Sequence, residues 1–516
     1  MKSLLFTGIM LIKVFSMTAN EPLSPFQKGI QSITEQALEA QVEFLSSDWF
    51  SGRETATAGA YMAADYIASQ MKLFGIVPFS ANAEEGYFQT VRLVTSSLED
   101  ASIAIRNSAN SNTTTYQHHV DFRTAGVVND LLLDGELFFG GYGIDYATFN
   151  QTKGAKPGQI LVRITGFPGM SDTTSNGYKL FGEMSPAQIN ALKNETARKA
   201  GFSAVLEYNP NTPWPVSMPH PNLARNRSET PLTKHTSGMY KKAVQLAPND
   251  GATPIPVFHI SKDMLTTLLT NSDDETQRIN NVRWNGRPLT NRKVTISTKT
   301  NRELIECRNV IGMIEGEIKD EFIVAGAHYD HLGEYDGYIW NGADDNATGT
   351  IGVVALAKAF AQAGVKPRRT ILFAAWTAEE RGLHGSTHFV NSFQNPERIK
   401  YYLNYDMIGR DPDPNNPTMN TAFIYTEANK ELEEMTSDAN ESQNLDLNIR
   451  YAPVARPVQG SDQAPFARKD IPIMWYHTGG HDDYHGPFDH ADKINYTKMT
   501  AIVKASFSVL WQLAND

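Results

Sequence analysis

From about residue 290 onward, apolar strand-like runs alternate with helical stretches, and this alternation constrains the fold more than any other feature. "RNVIGMIEG", "EFIVAGAHYD", "RRTILFAAWTAEE" and "KYYLNYDMIGR" read as strands. The apolar stretch after Asn346 and the final "YTKMTAIVKASFSVLWQLA" read as helices. Strand–helix alternation of this kind predicts an α/β domain, a mostly parallel central sheet flanked by helices. In such sheets, sites form beyond the C-terminal ends of the strands. Two adjacent acids, Asp344 and Asp345, stand in "NGADDNATGTIGVVALAKAFA" just ahead of a helix that reads as buried. Acids there either cap the helix and complement its dipole, or hold something strongly positive.

Other candidate strands also run into acids or histidines. "IVAGAH" ends at His328, with Asp330 two residues on, and "ILFAAWTA" runs into Glu379 and Glu380. "YYLNYD" ends at Asp406, and "GGHDDYHGPFDHADK" supplies His485. A single acid at a strand end is ordinarily a turn or helix cap. Carboxylates gathered from five segments would repel one another and raise each other's pKa values. Divalent cations remove that conflict. Mixed histidine and carboxylate donors suit zinc, whereas an all-oxygen set would suit magnesium or calcium.

The set "GAHYDHLG", "GADDNATG", "TAEERGLHGS", "NYDMIGR" and "DYHGPFDHADKI" resembles the co-catalytic di-zinc aminopeptidases, the family that also holds relatives of glutamate carboxypeptidase and the transferrin receptor. The resemblance implies a zinc-exopeptidase-like fold, two zinc ions per chain and peptide substrates. It implies that His328 and Asp406 hold one metal and Glu380 and His485 the other, with Asp345 bridging. It also implies a cis peptide at Asp345–Asn346, a supporting role for Asp344, and Asp330 accepting the second N–H of His328. Glu379 would be the general base, and Tyr484 a donor to the tetrahedral oxyanion. Gln463, in "GSDQAPF", stands where many relatives carry histidine, which puts nearby substrate contacts in question. His331, His384, His388, His477, His481 and His490 are expected mostly to support the site or lie on the surface. The run Ile473–His477 either lines a substrate pocket or is a buried strand.

A chain of 516 residues is long for one core. Residues 43–76 hold a helix with Ala63, Ile67, Met71 and Phe74 on one face. Residues 110–285 change texture: short strands such as "GELFFGGYGIDY" and "GQILVRITG" alternate with Pro- and Asn-rich loops. We expect a signal peptide over 1–19, a peptidase domain over 20–109 and 286–516, and an inserted, smaller, β-rich domain over 110–285 that resembles a protease-associated domain. The signal reading rests on Lys2, a short apolar run and small residues near Ala19, and predicts export to the periplasm or outside the cell. No later run is long and apolar enough for a membrane span. Cys307 is the only cysteine, so no intrachain disulfide forms. The net charge of -11 argues against nucleic acid as a partner.

Three functions remain open on the sequence. An aminopeptidase must hold a free amine, which carboxylates can do. A carboxypeptidase or dipeptidase must hold a carboxylate, which calls for an arginine fork. Only Arg381 and Arg410 stand beside the motifs, and Arg410 is expected to pair with an acid near the ligands; Arg225 and Arg227 sit in a Pro-rich loop. A receptor-like binding protein would have lost ligands or the base, and this chain keeps both.

Overall fold

The structure is a computed structural model. It describes residues 22–516 apart from 80–85, 109, 111, 119, 125–128, 212–242, 247–254, 270–277, 282–283 and 336. The expected signal peptide, Arg225 and Arg227 therefore lie outside the described residues.

Four mutually parallel strands form the centre of the sheet: Arg369–Trp376, Ile318–His328, Ile399–Tyr405 and Ile473–His477, in that spatial order. Their Val, Ile, Ala and Phe runs are buried on both faces, as expected for parallel strands covered by helices. The helices Gly349–Ala363 and Tyr496–Asn515 lie in the core cluster on one face. The other face is filled by Trp376, Phe389, Tyr402 and Phe466. Tyr402 and Phe466 stack at 3.7 Å between ring centroids. Helix Gly349–Ala363 is apolar all round, hence its central position. It approaches the sheet closely, since a Cβ at Gly352 would lie 2.9 Å from the Tyr405 ring. It ends at Gly364, whose φ of 67° supplies the left-handed cap.

The early helix spans Ala58–Leu73 and buries Ala63, Ile67 and Met71; Phe74 is its C-cap. Beyond it, two long strands, Phe88–Asn107 and Arg287–Ile314, pair antiparallel along nearly their whole length. One end of this ribbon pairs with Arg369–Trp376, and the other with Leu131–Phe139. The sheet thus runs without interruption from the central strands into residues 131–260. The second core cluster takes in Ala101, Ile103 and Ile105 from one strand and Leu289, Val294 and Ile296 from the other. Packing therefore changes partway along the ribbon, whereas positions 110 and 285 fall near its far tip. Within this β-rich unit Glu207 is buried against Arg163 (2.8 Å) and Lys193 (2.7 Å). Among the described residues, no helix is long and apolar enough to cross a membrane.

Candidate metal centre

All four central strands end at the same edge, at Trp376, His328, Tyr405 and His477. That edge brings together His328, Asp345, Glu379, Glu380, Asp406, Tyr484 and His485. His328 ends its strand buried. Its Nδ1 lies 3.1 Å from the main-chain oxygen of Asp330. A carbonyl can only accept, so Nδ1 carries the hydrogen and Nε2 faces the acids with its lone pair. Nε2 lies 3.4 Å from Asp345 Oδ1 and 3.6 Å from Asp406 Oδ1. On the other side, His485 Nε2 lies 3.1 Å from Asp345 Oδ2 and 3.1 Å from Glu380 Oε2. The two oxygens of Asp345 thus face two separate donor groups.

These donors fit metal ions. Bonds of about 2.0–2.1 Å in a tetrahedral shell separate neighbouring ligand atoms by about 3.3–3.4 Å. The spacings of 3.1–3.6 Å match that edge length. Without a cation the acids act on the imidazoles instead. Burial opposes charge on His328, yet Glu379, Asp406 and Asp345 hold its pKa well above the usual range. Burial likewise opposes charge on His485, and Glu380 and Asp345 raise it well above.

Glu379 and Glu380 follow Ala378, whose φ of 56° turns the chain. The two side chains diverge. Glu380 Oε1 accepts from His331 Nδ1 at 2.8 Å while Oε2 faces His485. Glu379 lines the cavity, where burial and its acidic neighbours push its pKa well above the carboxylate range. Its main-chain N–H donates to Asp330 Oδ1 at 3.1 Å.

Asp330 requires a correction. Its carboxylate was expected to orient His328, but its Oδ1 is 4.0 Å from Nδ1, and the main-chain oxygen does that work at 3.1 Å. The carboxylate accepts instead from Thr55 Oγ1 at 2.8 Å and from the N–H of Glu379. Only Tyr329 separates His328 from Asp330, and the chain turns so that the carbonyl reaches the ring first.

The peptide Asp345–Asn346 is cis, as expected. Asp344 supports from behind: its Oδ1 accepts from the Gly409 N–H at 2.8 Å, and Oδ2 lies 3.4 Å from His481 Nε2. Arg410 pairs with Asp483 at 2.8 Å and approaches Asp489 at 3.5 Å, both acids beside the ligands. Arg381 pairs with Glu54. Of the flanking histidines, His331 and His477 contact proposed ligands, as a supporting role expects. His331 touches Glu380, and His477 Nδ1 donates to the main-chain oxygen of Asp406 at 2.8 Å.

A cavity of about 280 Å³ opens onto Asp345, Glu379, Asp406 and His485. Its remaining wall is Met407, Gly460, Trp475, His477, Gly480 and Tyr484. Both readings of Ile473–His477 therefore hold: it is a central strand, and Trp475 and His477 line the cavity. The Tyr484 ring stacks on His485 at 3.9 Å, and burial with the nearby acids raises its pKa, so its hydroxyl stays a donor. Gln463 does not line the cavity. It is buried, accepts from Asn404 at 3.4 Å and donates to the Gln459 main-chain oxygen at 2.5 Å. It holds the turn that carries Gly460.

Sequence reasoning missed Arg53. It is fully buried, and its guanidinium donates to the main-chain oxygens of Tyr329, Leu45, Asn341 and Gly342 at 2.6–2.9 Å. It ties the His328 and Asp345 segments together. Burial lowers its pKa to about 10, against the pull of Asp345, Asp489, Asp330 and Glu380.

Residues 309–510, which carry every one of these donors, match peptidase family M28. The segment is an M28 domain. Leucine aminopeptidase 2 of Trichophyton rubrum is 42% identical over 103 residues, 20% of this chain and 19% of the relative. A probable glutamate carboxypeptidase of Arthroderma benhamiae is 31% identical over 172 residues, 31% of this chain and 23% of the relative. The leading curated matches thus span about a fifth of those relatives' length. The solved aminopeptidase from Aneurinibacillus sp. strain AM-1 superposes with a TM-score of 0.55 over 95% of this chain and 96% of its own, at 17% identity. That likeness extends the shared α/β fold beyond the M28 domain.

Proposed function

We propose that this chain is a di-zinc aminopeptidase that removes N-terminal residues from peptides. The observation that carries the reading is the two-sided placement of Asp345, 3.4 Å from His328 Nε2 by one oxygen and 3.1 Å from His485 Nε2 by the other. His328 and Asp406 would hold one ion, Glu380 and His485 the other, with Asp345 shared. When bound, two zinc ions supply Lewis acidity to the scissile carbonyl and to water.

The chain's own groups do the rest. Glu379, on the cavity wall, accepts the proton of the attacking water at its carboxylate and passes it to the leaving amine. Its pKa, raised by burial and by its acidic neighbours, suits that exchange. Tyr484 keeps its phenolic proton and donates to the oxyanion. Asp330 holds the Glu379 main chain, so the base is aimed from a fixed turn.

Polarity follows from the cavity wall. Among the described residues lining it are three carboxylates and no lysine or arginine. That wall offers no arginine fork for a substrate carboxylate, which favours recognition of the other end of the peptide. Trp475, Met407 and the two glycines leave room for an uncharged side chain. Export and a protease-associated character of the insertion belong to the same proposal; they rest on Met1–Asn20 and on the β-rich unit joined through the ribbon.

The test is a matched pair of peptides. One with a free N-terminus and an amidated C-terminus should be shortened one residue at a time from its N-terminal end. Acetylating that N-terminus should abolish cleavage. Preference for an acetylated peptide with a free C-terminus would overturn the reading in favour of a carboxypeptidase.

A further inference from the structure

We infer that Asp489 is a positioning residue whose carboxylate sets the main chain of Asp344 and Asp345, and through it the two-sided placement of the Asp345 carboxylate. The inference rests on the two-metal reading above. A bridging carboxylate must present one oxygen to each side. With only two side-chain torsions, its placement depends on where the backbone stands. Here the backbone is irregular: Gly342 has φ 55°, Asp345 has φ -105° and ψ 91°, and Asn346 has φ -136° and ψ 48°. The N–H groups of 344 and 345 precede the regular helix and have no helical acceptor. Buried and unmatched, each would cost about 1–3 kcal/mol.

Asp489 supplies the acceptor. Its Oδ2 receives the N–H of Asp344 at 2.9 Å and that of Asp345 at 3.0 Å. Its main-chain oxygen receives the N–H of Ala343 at 3.1 Å. Three successive amides therefore converge on one fully buried residue. Oδ1 lies 3.5 Å from Arg410 Nη1. Asp489 also follows His485 by four residues, and Trp340 Nε1 donates to the His485 main-chain oxygen at 3.2 Å. The same short loop thus carries a proposed ligand of the second ion and the acceptor that fixes the bridge. Moving Asp489 would disturb both.

The test compares the full chain with Asp489→Asn and Asp489→Leu. Asparagine keeps a carbonyl oxygen able to receive both amides; leucine has a similar shape and no acceptor. Each protein is stripped, reloaded with cobalt(II), and titrated against a competing chelator. Ions per chain and the visible cobalt spectrum are recorded. Wild type and Asp489→Asn should bind two ions with affinities within about threefold and the same band positions. Asp489→Leu should bind about 10–100-fold more weakly, the range typical of lost supporting contacts, with shifted bands. A role confined to general folding would lower metal-free stability and leave the spectrum of the loaded protein unchanged. The inference is overturned by wild-type affinity and spectrum in Asp489→Leu, by Asp489→Asn failing like leucine, or by a leucine variant that does not fold even in excess cobalt. Wild type that takes up no cobalt would be a different result, refuting the metal site itself.

Discussion

Glu379 and Glu380 are neighbours in sequence, and replacing each by glutamine should produce opposite failures. Glutamine keeps shape and removes charge and basicity. Glu380 touches the donor histidines with both oxygens, at 2.8 Å to His331 and 3.1 Å to His485. Its neutral form is a poorer ligand on the second side, which then keeps only Asp345 and His485 as proposed donors. Glu379 stands over the cavity, and its main chain is held by Asp330 whatever the side chain. Losing the base should remove the 10²–10⁴-fold that general-base catalysis typically contributes. At 1.36 kcal/mol per tenfold, that is about 2.7–5.5 kcal/mol of barrier.

The assay has two arms. Turnover of a chromogenic aminoacyl amide is measured at rising zinc, and metal content is measured after dialysis. Glu379→Gln should retain two ions and stay slow at every zinc concentration. Glu380→Gln should emerge from dialysis with about one ion and regain turnover as zinc is added. Fixed low turnover in Glu380→Gln with two ions bound, beside zinc-dependent recovery in Glu379→Gln, would mean the pair is assigned the wrong way round.

Two further perturbations probe the cavity and the insertion. A methyl at Gly460 would sit 2.6 Å from the Trp475 ring at a φ of 109°, so Gly460→Ala should crowd the cavity wall. kcat/KM for N-terminal Leu or Phe should fall relative to Ala by about 10-fold, within the 10–200-fold worth of one methylene in an apolar pocket; an unchanged ratio would show that this wall does not meet the substrate side chain. Glu207→Gln should destabilise the β-rich unit by about 3–5 kcal/mol, because Arg163 and Lys193 would be left buried without their anion. Burial pushes the Glu207 carboxyl up, but the two cations hold it down to about 2, while burial holds Lys193 down to about 8. The Glu207 contribution is therefore complete above the ordinary value of 4.5 and is lost as pH falls towards 2. Thermal melts at neutral pH and at pH 3 check both size and sign: the gap between wild type and variant should narrow in acid.

The parallel core was legible in the sequence because each strand carries its own apolar run; some proposed donors stand at or just past strand ends, Asp345 and His485 do not, and the ligand set was implied by the family resemblance. His328, Asp406 and Glu380 needed no knowledge of distant partners. What the sequence did not reveal depends on contacts with no local signature. Arg53 reaches Tyr329 and Gly342 across 276 and 289 positions, and Asp489 reaches Asp344 and Asp345 across 145 and 144. Asp489 even lies inside "DYHGPFDHADKI", yet nothing in that string says which amides it receives. The role of Asp330 was misread for another reason. Carbonyl and carboxylate belong to one residue, and spacing cannot say which of them meets the imidazole. The ribbon Phe88–Asn107 and Arg287–Ile314 shows the same limit at larger scale, since texture marks a change of composition and not where packing changes hands.

The choice posed by Asp344 and Asp345, cap or cation holder, bears on where the buried cations go. Arg53 spends its guanidinium on four carbonyl oxygens and touches no carboxylate. Arg410 faces Asp483 and Asp489, and Lys498 is bound to Asp411 at 2.7 Å. Among the described residues, no lysine or arginine forms an ion pair with Asp345, Glu380 or Asp406; their facing partners are the imidazoles of His328, His331 and His485. The protein neutralises the outer ring of acids with its own cations and leaves the inner faces to groups that can also bind metal. Asp344 caps no helix N–H; it accepts the Gly409 N–H and the Thr348 hydroxyl behind the helix start. Asp345 is no cap either: its oxygens face two histidines, His328 at a strand end and His485 on a later loop. Acids held this close without a lysine or arginine need a positive partner, which the imidazolium forms of the histidines supply without metal and the proposed zinc ions would supply with it.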